Sequence, residues 1–241
     1  MLFFVLNAVK LVGSMYVIII SNLCFSTENK SIKKITKYCS KNILTSVGLE
    51  IGSIQVKSDA KGVYVFNHCN FVDVAAITYV YGISAFVYKE GFCTKLPLLK
   101  LLLNKLGGIS TSTRVIDNMK KCNTRLFIAP EGNASFLREK SSSEFSDFRK
   151  GAFVNSTEVH PVIIKYHHND GMHSKKYICC KHDHVVTYLA KLIYYNLDKT
   201  YISVHELDVI RKNRDLDDYV RKTKEIMQFY YDCYNLYTIS R

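Results

Sequence analysis

Short apolar runs rich in β-branched residues alternate along the chain with longer segments whose apolar positions recur every three or four residues. The alternation begins near residue 50 and continues almost to the last residues. This rhythm is typical of βαβ units, whose parallel strands form a central sheet covered by helices. The pattern therefore predicts an α/β fold with a largely parallel central sheet flanked by helices.

The predicted elements can be placed along the sequence. Strands are expected at 51–57, 63–67, 85–88, 125–129, 159–166 and 201–207, and helices at 70–81, 94–105, 114–122 and 184–197. The tail from 215 to about 233 also has apolar positions at helical spacing, which indicates a packing helix. Because no linker rich in Pro, Gly or Ser interrupts this part of the chain, it is expected to form one domain.

The first 26 residues differ from the rest, because they are apolar almost throughout and contain Lys10 as their basic residue. Such a stretch either spans a membrane as a tilted helix or lies embedded at its surface, and the sequence leaves both open. A cleaved signal peptide is less well supported, since the basic charge lies in the middle of the segment. We therefore divide the chain into a membrane segment, 1–26, and a domain, 27–241, which the lysines after residue 29 favour holding on the cytosolic side.

A formal net charge of +12 predicts an anionic partner. Nucleic acid, a membrane carrying acidic lipids and a polyphosphate such as coenzyme A all meet that description. The basic residues are spread along the chain without a recognisable nucleic-acid-binding module, and a nucleic-acid function would leave the apolar N-terminal segment unexplained. A nucleic-acid partner is therefore not expected.

The sequence predicts neither a metal site nor a disulfide framework. The eight cysteines contain no C-x-x-C pair, and the histidines of the second half follow no common zinc spacing. We expect these histidines to be exposed in a loop and at a strand end; they are His160, His167, His168, His173, His182 and His184. The cysteines are expected to be reduced thiols facing the cytosol.

A polar cluster follows the apolar strand that ends near Phe66. Asn67, His68 and Asp73 lie there within seven residues. A histidine at a strand end faces the sheet edge where ligands bind in open α/β folds, and an Asp five residues later can reach back from the next helix. Such a pair would hold one ring nitrogen protonated and leave the other free to accept a proton. A loop histidine that caps a helix would give the same spacing.

Three further blocks follow in order. In the first, a turn and a short strand lead to Arg114, whose planar guanidinium suits a phosphate. In the second, an apolar strand breaks at Pro130-Glu131-Gly132, which places a carboxylate beside a conformationally free glycine. The third is an apolar strand interrupted by Pro161. Taken singly, a solvated Arg and an ordinary turn would explain the first two.

Together, the four ordered blocks resemble those of the glycerolipid acyltransferase superfamily, which includes the 1-acylglycerol-3-phosphate and lysophosphatidylcholine acyltransferases. That family shows an Asn-His-x4-Asp block, a Gly-rich block ending in Arg, a Pro-Glu-Gly block and a Val-Pro-Val type strand. The likeness covers roughly residues 60 to 166. The matching residues are Asn67, His68, Asp73, Gly108, Arg114, Pro130, Glu131, Gly132, Pro161 and Val162.

The resemblance implies a membrane-bound, acyl-CoA-dependent acyltransferase that esterifies a lysophospholipid, with lysophosphatidic acid as the first candidate acceptor. It implies His68 as general base and Asp73 as the residue that orients it. The expected substrate-binding residues are Asn67, Arg114, Glu131 and Gly132, with Arg114 on the acceptor phosphate. It implies no cofactor besides the co-substrate acyl-CoA, and the expected location is the endoplasmic reticulum membrane with the catalytic domain facing the cytosol.

Two details of the expected chemistry concern the neighbours of His68. Cys69 is not expected to act as a nucleophile, since adjacent residues on a strand or helix start point in different directions. Backbone N–H groups near the His68 turn are the candidates for holding the oxyanion.

Departures from the family pattern leave the acceptor head group open. Members acting on lysophosphatidic acid often carry Phe before Pro-Glu-Gly and Thr-Arg-Ser after it, whereas this chain has Ala129 before and Asn133-Ala134-Ser135 after. The missing Arg removes one phosphate contact. The alternatives are a lysophosphatidylcholine, lysophosphatidylethanolamine or glycerol-3-phosphate acyltransferase and, in another class, a catalytically inactive relative that keeps the fold for membrane docking.

Overall fold

A computed structural model describes residues 2–24, 30–70, 72–82, 84–88, 100–101, 108–110, 125–132, 144–168 and 200–237, together with residues 187, 190 and 193. Arg114 lies outside the described residues. So do, wholly or in large part, the helices predicted at 94–105, 114–122 and 184–197.

Four helices and eight strands make up the described part of the chain. The helices are α1 (Leu2–Cys24), α2 (Lys30–Ser46), α3 (Asp73–Tyr81) and α4 (Leu216–Tyr237). The strands are β1 (Leu49–Gln55), β2 (Gly62–Phe66), β3 (Ala85–Tyr88), β4 (Ile109–Ser110), β5 (Arg125–Ile128), β6 (Glu158–His168), β7 (Thr200–Glu206) and β8 (Ile210–Arg211). A single 3₁₀ turn, Lys150–Ala152, precedes β6.

The strands form one sheet in the order β1-β7-β6-β2-β5-β3-β4, with β8 paired to β6. Five of the strand pairs are parallel, β1 with β7, β2 with β5 and β6, and β3 with β4 and β5. Strands β7 and β8 run antiparallel to β6. The prediction of an α/β fold with a largely parallel central sheet is therefore confirmed.

Apolar side chains cover both faces of this sheet, which explains the unbroken apolar runs of its central strands. Successive residues of a strand point to opposite faces. In β2, Tyr64 and Phe66 pack with α1, α2 and α3, whereas Val65 packs with the segment at 144–153 and with α4. The sheet thus separates two hydrophobic cores and holds its central strands rigidly between them.

Helix α2 was not predicted, although its sequence has the periodicity of an amphipathic helix. Its buried side chains include Ile32, Thr36, Cys39 and Ile43, which recur at three- and four-residue intervals. Its lysines lie on the remaining surface and suggested a charged flank to the apolar segment rather than a helix. Residues 30–46 therefore form an amphipathic helix that packs on α1.

Helix α1 packs on α2 along one side only. Leu11, Ile18 and Ile19 are buried there, and Lys10 donates a hydrogen bond to Thr45 at 2.7 Å. The opposite side exposes large apolar side chains, namely Phe3, Val5, Leu6, Val9, Val12, Tyr16, Val17 and Ile20. Among the described residues, one helix is long and apolar enough to cross a membrane; it covers Phe3–Ser21, and 28% of that stretch is buried within the protein.

Two consecutive residues of β6 make polar contacts on opposite faces of the sheet. Tyr166 faces α3, where its hydroxyl donates a hydrogen bond to Asp73. Lys165 faces α4, where its ammonium donates to the backbone carbonyl of Tyr231 at 2.7 Å and lies 4.9 Å from the centre of the Tyr231 ring. Burial lowers the pKa of Lys165 to about 8.

The expectation that the histidines of the second half are exposed is wrong for His160. This residue of β6 is only 2% exposed, stacks on Tyr64 at 4.4 Å and lies 3.3 Å from the carboxylate of Glu206. Its neighbours in the sequence, Val159 and Pro161, are buried with it, because both faces of this strand are covered. His160 therefore belongs to the interior of the sheet.

Candidate active site

The candidate site lies where β2 and β5 end, at the same edge of the sheet. The register pairs Val65 of β2 with Ile128 of β5, so the residues three positions further on, His68 and Glu131, leave the sheet side by side. Ligands of open α/β sheets bind at the carboxyl ends of parallel strands. The block that contains His68 and the Pro130-Glu131-Gly132 block are therefore brought together at the edge where a substrate is expected.

Asn67 follows strand β2, and its side chain makes the hydrogen bonds to β6 that a backbone peptide group would otherwise make. Its amide oxygen accepts a hydrogen bond from the Ile164 N–H at 2.7 Å, and its amide nitrogen donates to the Ile164 carbonyl at 2.8 Å. These bonds continue the β2–β6 pairing for one more step while the main chain turns away. Asn67 is 1% exposed, so the described contacts assign it to holding the turn, and substrate binding by Asn67 stays a prediction.

His68 lies in this turn and Asp73 is the first residue of α3. His68 Nδ1 lies 2.9 Å from Asp73 Oδ2. A carboxylate only accepts hydrogen bonds, so Nδ1 carries the proton and Nε2 is the nitrogen free to act as a base. The His68 side chain is 28% exposed while that of Asp73 is fully buried. The arrangement is that of an oriented general base with one accessible nitrogen.

Four donors converge on the Asp73 carboxylate. Besides His68, the backbone N–H groups of Cys69 and Asn70 donate to Oδ2 at 2.7 and 2.8 Å, and the Tyr166 hydroxyl donates to Oδ1. A carboxylate with this many donors stays in one orientation even though it is removed from solvent. The pair is therefore held ready before any substrate arrives.

Tyr166 is a site residue that the sequence did not reveal. It is 93 residues from Asp73 along the chain, and the two meet because β6 lies beside β2 in the sheet. The sequence signal is weak, since Tyr166 looks like the last apolar residue of a predicted strand. A hydroxyl at the end of a strand adjacent to the histidine strand is the pattern that could have identified it.

The expectation that backbone N–H groups of the His68 turn hold the oxyanion is wrong for the two groups after His68. The N–H groups of Cys69 and Asn70 point at Asp73. The next described one, of Val72, points at the side chain of Asn70. The turn uses these donors to fix the carboxylate rather than to bind a ligand.

Cys69 directs its thiol away from the sheet edge. The thiol lies 3.2 Å from the Asn67 amide nitrogen and 3.9 Å from the Ile164 carbonyl. This agrees with the expectation that adjacent residues point in different directions. Whether Cys69 is dispensable for chemistry stays a prediction.

The Pro130-Glu131-Gly132 turn is braced from the segment that leads into β6. Glu131 is 4% exposed, and its Oε2 accepts a hydrogen bond from the Ser146 N–H at 3.0 Å. Gly132 has a φ of +71°, a left-handed conformation that disfavours any side chain, and its N–H donates to the Ala129 carbonyl at 3.1 Å. Substrate binding by Glu131 and Gly132, like that by Arg114, stays a prediction.

A solved structure with the same fold is the crystal structure of 1-acyl-sn-glycerophosphate (LPA) acyltransferase, PlsC, from Thermotoga maritima. The two share a TM-score of 0.64 and 13% sequence identity over 96% of this chain and 94% of the other. The fold is that of a glycerolipid acyltransferase. At this sequence identity the likeness shows a shared fold. No protein-family model matches the chain, and no curated protein matches it by sequence.

Proposed function

We propose that this protein is a membrane-bound acyltransferase that moves a fatty acyl group from acyl-CoA to the free hydroxyl of a lysophospholipid, with lysophosphatidic acid as acceptor and phosphatidic acid as product. The observation that carries the proposal is the His68–Asp73 pair at the strand edge of an acyltransferase fold. Pro130-Glu131-Gly132, which ends the neighbouring strand, supports it.

The proposed reaction is a direct transfer. His68 Nε2 takes the proton of the acceptor hydroxyl while the hydroxyl oxygen attacks the thioester carbonyl carbon. Asp73 stabilises the imidazolium that forms. When the tetrahedral intermediate collapses, the carbon–sulfur bond breaks, and the leaving thiolate of coenzyme A takes the proton back from His68. The histidine is thereby restored, and no acyl-enzyme is needed.

Arg114 is proposed to bind the phosphate of the acceptor, since a guanidinium matches a phosphate with two parallel hydrogen bonds. This role comes from the resemblance of its sequence block. The positive net charge of the chain supports anionic substrates in general.

Membrane association is proposed to run through α1. Its exposed side carries eight large apolar residues. Their contact with water is unfavourable, and a lipid bilayer would remove them from water. The lysines of α2 lie close by and suit acidic head groups. The proposed location is the endoplasmic reticulum, with the site facing the cytosol.

An acyl-transfer assay tests the proposal. Membranes containing the wild-type chain are given one acyl-CoA and, in parallel, lysophosphatidic acid, lysophosphatidylcholine, lysophosphatidylethanolamine and glycerol 3-phosphate. We expect esterification of lysophosphatidic acid to exceed that of the other three. Absence of transfer to every acceptor by a folded, membrane-bound chain would instead indicate a docking protein.

A further inference from the structure

The side chain of Arg149 lies against the glycine of the Pro130-Glu131-Gly132 turn. A methyl group placed on Gly132 would be 2.5 Å from the guanidinium carbon and from Nε of Arg149, and 3.0 Å from Nη1. A side chain at this position would displace the guanidinium, and the φ of +71° at Gly132 also disfavours one. The turn and the arginine are therefore packed together as one surface.

The backbone on both sides fixes this arrangement. Arg149 N–H donates to the Pro130 carbonyl at 2.8 Å, and the Ser146 N–H donates to the Glu131 carboxylate at 3.0 Å. Between them, Phe145 and Phe148 are 6% and 7% exposed and anchor the segment in the core. The backbone position of Arg149 is thus fixed, because its segment makes two hydrogen bonds to the Pro130-Glu131-Gly132 turn.

The guanidinium itself has no acidic partner among the described residues. Two other basic residues differ in this respect, because Lys150 pairs with Asp217 at 2.5 Å, and Arg125, at the opposite end of β5, pairs with Asp59 at 2.6 Å. Arg149 is exposed to solvent, so its hydrogen-bond donors remain accessible. An exposed guanidinium beside the Gly132 turn offers a fork of donors that fits a phosphate.

We infer that Arg149 is an anion-binding residue of the active site and takes a phosphate group of a substrate. The sheet register pairs Val65 with Ile128, so the Gly132 turn follows the strand next to the one that His68 follows, and a phosphate at Arg149 would lie at the same edge of the sheet as the base. Two phosphates are available under the proposed function, the monoester of the acceptor and the phosphates of coenzyme A. The identity of the phosphate ligand rests on the proposed function, and the position of Arg149 rests on its contact with Gly132.

A binding experiment tests the inference without requiring turnover. Thermal unfolding of the detergent-purified wild-type chain is measured with sn-glycerol 3-phosphate, with desulfo-coenzyme A, and with sodium chloride at equal ionic strength. At least one of the two phosphate compounds should raise the midpoint above the chloride control. Arg149→Gln should remove that rise, because it keeps a side chain of similar length but loses the charged fork.

Lys150→Gln is the matched control. It makes the same change of charge one residue away, at a lysine that faces Asp217 on α4. Because exposed ion pairs contribute little to stability, the variant should fold normally and keep the ligand-induced rise. Two outcomes would overturn the inference. One is a ligand-induced rise in the midpoint that is equal in wild type and Arg149→Gln for both phosphate compounds, and the other is an equal loss of that rise in Arg149→Gln and Lys150→Gln.

Kinetics then identify which phosphate is bound. Arg149→Gln should raise the KM of one substrate by about ten- to a hundred-fold, the effect of losing a charge-assisted hydrogen bond. A rise for lysophosphatidic acid assigns the acceptor phosphate, and a rise for acyl-CoA that is absent with an acyl-pantetheine thioester assigns coenzyme A. Unchanged KM values for both substrates would contradict the inference. A wild-type chain that binds phosphate compounds but transfers no acyl group would refute the proposed function alone.

Discussion

Among the described residues, two histidine–carboxylate pairs contact the central sheet, and one of these two is placed to do chemistry. His68 and Asp73 are 2.9 Å apart at the end of β2, and His160 and Glu206 are 3.3 Å apart between β6 and β7. In both pairs Nδ1 faces the carboxylate. The atoms that face each other are therefore the same, and the difference lies in what surrounds the second nitrogen.

His160 is closed in on every described side. Its ring stacks on Tyr64, and its Nε2 is buried near Gly62 without a hydrogen-bond partner among the described residues. Glu206 is tied further, by the N–H groups of Lys57 and Ser58 and by the Tyr81 hydroxyl. Both side chains of this pair are buried by the described residues, and the pair joins β6 to β7 and to the end of α3.

His68 keeps part of its ring in solvent while its carboxylate is fully buried. The turn after β2 lets the histidine leave the sheet, whereas His160 stays within a strand that is covered on both faces. Access to the second nitrogen, rather than the presence of the pair, separates a general base from a structural contact. Single substitutions in the two pairs test this difference.

The largest effect is expected for His68→Ala. Removing the base should lower acyl transfer by about 10²- to 10⁴-fold while membrane association and the thermal midpoint stay close to wild type. His160→Gln is the control, because its amide still donates to Glu206 while the imidazole is gone. That variant should keep turnover within a few-fold; full activity of folded His68→Ala would refute the contrast.

Asp73→Asn should come next. The amide can donate as well as accept, so it no longer fixes the proton on Nδ1 of His68, and it replaces the charge that would stabilise the imidazolium. We expect kcat to fall about 10²-fold or more, with a smaller change in acceptor KM. Steady-state kinetics at saturating acyl-CoA measure this, and a change confined to KM would argue against an orienting role.

Glu206→Ala should act on stability instead. It leaves the buried His160 and Tyr81 hydroxyl, and two part-buried backbone N–H groups, without their acceptor, and breaking a buried pair costs about 3 to 5 kcal/mol. Urea unfolding measures the loss. Turnover per folded molecule should remain near wild type, and a specific loss of kcat in the folded variant would place this second pair in the chemistry.

Tyr166→Phe should have a moderate effect on turnover. It removes one of four donors to Asp73 and leaves the other three. A hydrogen bond to a charged group contributes about 1.5 to 3 kcal/mol, so we expect kcat to fall by about tenfold with KM little changed. Tyr81→Phe, which removes a donor to Glu206, is the matched control and should leave kcat unchanged.

The smallest effect is expected in the acid stability of the second pair. Burial acts to raise the pKa of Glu206, but the hydrogen bonds from His160, Lys57 and Ser58 outweigh it and leave the pKa below its ordinary value of 4.5. The folded state therefore binds fewer protons, and the stability that Glu206 contributes above pH 4.5 is lost as the pH falls through the lower folded value. Glu206→Gln should flatten the unfolding free energy below pH 4.5, measured by urea unfolding across that range.

Much of the sheet could be predicted from the sequence, because apolar strands in a parallel sheet stand out as runs. β3 agrees with its prediction at both ends, and β2 and β5 differ from theirs by one residue. β8 was missed because a two-residue strand leaves no periodicity. Helix α2 was missed because its lysines obscured a regular apolar stripe.

The candidate site was predictable where its residues are close in sequence. His68 and Asp73 lie five residues apart, and one turn joins them. The contacts from Ile164 to Asn67 and from Tyr166 to Asp73 depend on β6 lying beside β2, which a single sequence does not reveal. The turn at Gly132 was recognised, but the arginine that covers it is 17 residues further along and reaches it only through the fold.

The two faces of β6 connect parts of the protein that look unrelated. On one side of the sheet the Tyr166 hydroxyl donates a hydrogen bond to the Asp73 carboxylate. On the other side the ammonium of its neighbour Lys165 donates to the backbone of α4. A displacement of α4 would act on Lys165, and the adjacent Tyr166 holds the carboxylate that orients His68. We therefore expect a tag, crosslink or binding partner attached to the last turns of that helix to change turnover.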